Sequence, residues 1–120
     1  MAFLTKYRLY LISFMMTLVI GIVIAVLTLA PVSNENIPGS DKFHHFVAFA
    51  VLALPLPFAQ QKLVIPVFVS VTAYGGLIEI IQPFFGRNAD WGDFLANGFG
   101  AICGAYLGKF SGNLFSTRWL

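Results

Sequence analysis

Charged residues are sparse along this chain, and the gaps between them outline its elements. From Leu9 to Ala30 no charge occurs over 22 positions. As a helix that run measures about 33 Å, close to the thickness of a bilayer core. A second apolar run covers 43–59 and carries Pro55 and Pro57 near its end, where proline weakens the last turns. A third covers 63–81, with Pro66 in its first turn, a position that tolerates proline. A fourth covers 94–110. The connectors are brief: Gln60-Gln61-Lys62, and the stretch from Gln82 to Trp91. The pattern predicts an all-α fold, an integral membrane bundle of four transmembrane helices forming one domain over 1–120. A secretory leader is the rival reading of the first run, because Thr28-Leu29-Ala30 resembles a cleavage site. The run exceeds the roughly 7–15 residues of a leader's apolar core, so an uncleaved span is expected.

Composition strengthens the membrane reading. Hydrophobic residues make up 58% of the 120 positions and charged residues 10%, and Phe alone occurs 13 times. A water-soluble domain of this size could not bury so much apolar surface. The single cysteine, Cys103, excludes an internal disulfide and is expected to be a small packed residue. No Cys/His spacing suggests a structural zinc site, and a net charge of +2 with no basic run argues against nucleic acid as a partner.

Charge also suggests an orientation. With the N-terminus inside, Lys6, Arg8, Lys62, Lys109 and Arg118 lie on the cytoplasmic side, and Lys42 and Arg87 outside. That excess follows the positive-inside rule. Glu35, Asp41, Glu79, Asp90 and Asp93 then all fall at the outer end. The expected location is a bacterial cytoplasmic membrane, multi-pass, with both termini cytoplasmic.

The same arrangement gathers polar side chains at one depth. Asp41, Lys42 and His45 open the second helix, Glu79 and Gln82 close the third, and Asp93 and Asn97 open the fourth. Asp41 and His45 are four apart and share a helix face, as do Asp93 and Asn97. Glu79 lies about a turn inside its apolar run, and an ionisable group at that depth usually faces the bundle interior or a wet cavity. Ala96, Gly100, Gly104, Gly108 and Gly112 recur every four residues along the fourth helix. Such a stripe admits a close neighbouring helix, and it equally suits a homodimer interface.

Several of these residues also form a familiar series. Asp41–Phe46 (DKFHHF), the Glu79 and Gln82 pair, Gly86-Arg87, and Asp93–Gly104 (DFLANGFGAICG) together resemble the VanZ-like family of small bacterial membrane proteins. The resemblance runs from Asp41 to about Gly108 and rests on the order and spacing of its motifs. The family's polar positions fall on Asp41, Lys42, His45, Glu79, Gln82, Arg87, Asp93 and Asn97. Phe85-Gly86-Arg87 stands where the family more often has Pro-Gly-Arg, a departure that leaves the arginine in place. The resemblance implies a multi-helix bacterial membrane protein of the cell envelope. Its founding member is associated with resistance to the glycopeptide antibiotic teicoplanin. It implies no settled activity.

The polar set supports several readings. As an enzyme, the protein would act on a lipid headgroup or a lipid-linked cell-envelope intermediate. His45 would be the general base or acid, oriented by Asp41 or Asp93, with Glu79 as its partner acid. Lys42 and Arg87 would hold an anionic group, and Gln82 and Asn97 would orient neutral ones. As a binder, the same pocket would hold an amphiphile without turning it over. As glue, Asp93 would cap the fourth helix and Asn97 would bond across helices. A metal held by His45, Asp41, Glu79 and Asp93 suits a hard or borderline ion, but the nearby basic residues oppose it, so neither metal nor cofactor is expected. Four short helices are few for a transport pathway.

Overall fold

The structure is a computed structural model that describes residues 2–30, 40–86 and 90–119, with side chains described for 4–30, 42–86 and 90–115. All regular structure among the described residues is helical. Helix α1 spans Ala2–Leu29, α2 Ser40–Ala53, α3 Pro55–Ala59, α4 Val64–Ile81 and α5 Trp91–Trp119. Short 3-10 turns at Gln61–Leu63 and Gln82–Phe85 begin and end the α4 hairpin arm. The prolines act as expected: the second rod ends at Ala53, bends at Leu54 and restarts at Pro55 as α3. Both α1 and α5 run beyond the apolar stretches that mark them, since Lys6 and Arg8 at one end and residues 111–119 at the other remain helical.

Three stretches are long and apolar enough to cross a membrane: Leu4–Leu29, Lys42–Ala59 and Gln61–Phe85. Their outward surfaces carry large hydrophobic side chains, among them Ile22, Val26 and Leu27 on α1 and Ile65, Val69 and Ile80 on α4. Helix α5 has the length but is diluted by Asp93, Asn97 and its glycines, and is not one of the three. It packs instead as the centre of the assembly, against α2, α3 and α4. The whole measures 51 × 22 × 20 Å.

The glycine stripe makes that central packing possible. A Cβ placed on Gly100, Gly104, Gly108 or Gly112 would collide with the carbonyl oxygen of Phe46, Ala50, Leu54 or Phe58 respectively. Both series advance by four residues, so α5 lies backbone-to-backbone along α2 and α3, held by dispersion and close C–H···O approach. The stripe is thus covered by the chain's own helices. Ala101 and Ala105 are fully buried beside it. Cys103 departs from expectation: it is exposed, because it lies with Phe99, Tyr106 and Leu107 on the outward face of α5.

The bundle core is small. Phe49 and Leu52 of α2 pack with Val67, Val71 and Ile78 of α4 and with Ile24 of α1. Helix α1 is the most peripheral, and two polar ties fix it. The Tyr74 hydroxyl donates to the Gly21 carbonyl, and the Gln82 amide donates to the Thr28 carbonyl at 3.2 Å. Lys6 and Tyr7 meet Ala59 and Gln60 at the end of the bundle opposite the polar cluster.

Candidate functional site

The site is built where α2 begins, α4 ends and α5 begins. Asp90 sets the start of α5. Its side chain accepts the Gly92 N–H at 2.9 Å, and its carbonyl accepts from Asp93 and Phe94. That is an N-cap, so the capping duty expected of Asp93 belongs to Asp90. Asp90 has two further ties. Its carboxylate pairs with Lys42 Nζ at 2.9 Å, and its backbone N–H donates to Glu79 Oε2 at 3.1 Å. Lys42 and the Gly92 N–H hold the Asp90 carboxyl below its ordinary value. Nothing in the chain's polarity had distinguished Asp90 from any exposed acid. The usable signal was an Asp just ahead of the helical run.

Relieved of capping, Asp93 turns inward. It is 4% exposed, His45 is 5%, Glu79 is 7% and Asn97 is 0%. Four ionisable or polar groups from three helices are therefore sealed inside the bundle. His45 Nδ1 lies 2.8 Å from Asn97 Oδ1. An amide oxygen only accepts, so Nδ1 carries the ring proton and donates. The other nitrogen, Nε2, faces Asp93 Oδ2 at 3.7 Å. Ligand atoms of His45, Glu79 and Asp93 all lie within 4.8 Å of one another. Glu79 thus points into the bundle, not toward lipid. Gly75 makes the room: a Cβ there would come within 3.0 Å of the Asn97 amide nitrogen and 2.9 Å of Phe49.

The structure places the remaining expected residues unevenly. Lys42 is half exposed and spans Asp90 and Asp93, at 3.7 Å from Asp93 Oδ1. Gln82 is buried but reaches toward α1 through Thr28. The Asp41 side chain and all of Arg87 lie outside the described residues. His44, next to His45 in the chain, is exposed.

Several buried polar atoms have no hydrogen-bond partner among the described residues: Glu79 Oε1, Gln82 Oε1, Asn97 Nδ2 and Thr72 Oγ1. Leaving such an atom unsatisfied costs about 1–3 kcal/mol, so each calls for a partner.

A cavity opens beside the cluster. It holds about 480 Å³ and is lined by Gly76, Ile80, Pro83, Trp91 and Phe94, with Glu79 and Asp90 on its wall. A second groove of about 580 Å³ shares Gly76, Ile80 and Phe94 and continues along α4 past Thr72 to Phe68. From Glu79 to Phe68 along the helix is about 16 Å. The two share one wall, with the carboxylates of Glu79 and Asp90 at one end and a largely apolar lining along α4.

The chain matches no curated protein and no solved structure. A family model does match: VanZ/LLP1, over residues 4–112. That stretch takes in α1, every element of the cluster and the glycine stripe, and the chain belongs to the VanZ/LLP1 family.

Proposed function

We propose that this VanZ/LLP1 protein binds an amphiphilic cell-envelope molecule, with its polar group at the His45–Glu79–Asp93 cluster and its hydrocarbon in the groove between α4 and α5. The observation that carries this reading is the position of Glu79, which belongs at once to the buried polar cluster and to the wall of an apolar cavity. A group held only as structural glue would not need to border open apolar space. In this reading α5 is a fourth span, shielded by its neighbours, which explains why it tolerates a lower apolarity. The cluster end faces outward from a bacterial cytoplasmic membrane and both termini face the cytoplasm, as the distribution of Lys and Arg favours.

Lys42 at the rim suits an anionic headgroup, and Glu79 and Asp93 suit hydroxyl or ammonium groups on the same molecule. A membrane lipid, a lipid-linked wall intermediate and a glycopeptide bearing an acyl chain all fit this chemical description. The test is direct. Protein purified in mild detergent is analysed by native mass spectrometry and lipid extraction, and the bound species is compared with that of the Glu79→Gln variant. Loss of one defined amphiphile from a folded variant supports the reading. Equal carriage of the same mixture of lipids by both removes it.

Modification of the bound molecule is a second reading, favoured by the Asn97–His45–Asp93 series. Asn97 fixes the ring tautomer and leaves Nε2 able to take a proton beside Asp93, the arrangement a general base requires. Turnover of the extracted amphiphile by the parent and not by His45→Gln would select this reading over simple binding.

A further inference from the structure

We infer that His45, Glu79 and Asp93 form a site for one divalent metal ion of borderline hardness, such as zinc or manganese. The donor set is one imidazole and two carboxylates drawn from three different helices or helix ends, all buried. Carboxylates alone would not carry this, but two independent features point to a cation. The first is the histidine tautomer. His45 donates its Nδ1 proton to Asn97, so its other ring nitrogen, Nε2, is the one that faces Asp93 Oδ2 and the cluster, at 3.7 Å. A ligating histidine characteristically has its other ring nitrogen held in this way. The second is Glu79 Oε1, a carboxylate oxygen in a side chain more than nine-tenths buried, with no hydrogen-bond partner among the described residues.

Lys42 is half exposed and makes its shorter contact, at 2.9 Å, with the exposed Asp90. Neighbours hold the carboxylates as well as the ring: the Asp90 N–H is on Glu79 Oε2, and Lys42 stands 3.7 Å from Asp93 Oδ1. Metal bonds of about 2.0–2.2 Å would draw the three donor atoms from their present spacing to about 3–3.5 Å apart. With three protein ligands, a coordination position remains for water or a ligand atom, and Glu79 borders the cavity from which it would come. The site stands on the cluster alone and does not depend on what fills the apolar groove.

The experiment uses the full chain in detergent, stripped with chelator, then titrated with Zn²⁺ or Co²⁺ alone. The parent is expected to take up one equivalent, to gain thermal stability on doing so, and to give with Co²⁺ visible bands of a low-coordinate site. His45→Gln, Glu79→Gln and Asp93→Asn, each checked for helix content by circular dichroism, are expected to weaken uptake by at least tenfold. Asn97→Ala, which frees the ring without removing a ligand, is expected to weaken it by about 10–100-fold. Failure of folded parent protein to take up a single equivalent would overturn the site. So would uptake that all three ligand variants leave unchanged.

Discussion

His45 Nδ1 donates to Asn97 Oδ1 at 2.8 Å, and this one contact ties the second turns of α2 and α5 together inside the bundle. Helices α2 and α5 meet backbone-to-backbone farther along, where there is no room for side chains. The bond therefore sits at the end where the two helices admit side chains between them, and it orients the ring that the rest of the cluster uses.

Removing that tie should be costly. Asn97→Ala leaves the His45 ring N–H buried without its acceptor, a loss of about 1–3 kcal/mol. The expected result is a clear fall in the unfolding midpoint in detergent. His45→Gln should cost less, because glutamine can still donate to Asn97.

The glycine stripe predicts a contrast within one helix. Gly104→Leu forces a side chain into the Ala50 carbonyl and must push α5 off α2, at a cost of about 1–3 kcal/mol or more. Gly98 lies off the stripe, and a Cβ there meets only the Thr72 methyl at 3.9 Å. Gly98→Ala should leave stability unchanged or raise it by up to about 1 kcal/mol. Thermal unfolding of the two variants decides the point.

Asp90 supplies a pH dependence. Its folded-state acidity is strengthened by Lys42 and the Gly92 N–H, so its carboxyl titrates below the ordinary aspartate value of 3.8. A group lowered on folding stabilises the fold above its unfolded value and loses that contribution as pH falls through the folded one. The parent should therefore lose stability relative to Asp90→Asn as pH drops below about 3.8. Both partners are about half exposed, so the effect should be small and should shrink with added salt.

Much of this architecture was legible in the chain because apolar run length and prolines are local signals. The bend at Leu54 follows from Pro55 and Pro57, and the convergence of His45, Glu79, Asp93 and Asn97 follows from helices that reverse direction at short turns. The helix ends were less legible. Hydropathy marks where a helix is greasy, not where its hydrogen bonds stop, so Lys6, Arg8 and the last turns of α5 lay outside the expected spans. The cap on α5 was attributed to Asp93, although Asp90 performs it, because either acid could precede the first turn. Cys103 was expected inside, since composition alone cannot tell which face of α5 its neighbours cover. The ties of Tyr74 to Gly21 and of Gln82 to Thr28 join residues more than fifty positions apart, and no spacing rule reveals them.

The groove between α4 and α5 predicts a chain-length effect. Ala73 lines its deeper part and faces outward, so Ala73→Trp should fill it without disturbing the buried cluster. Binding of a long-chain amphiphile should fall severalfold, while a short-chain analogue with the same headgroup should bind as before. Equilibrium binding of the two analogues to each protein measures the difference.

The most direct measurement is native mass spectrometry of the parent and Glu79→Gln proteins purified side by side. The parent is expected to retain one defined amphiphile, and the variant, with its helix content intact, to retain at least tenfold less of it. If the folded variant carries the same species in the same amount, Glu79 is not part of a binding site and the cluster only holds helices together.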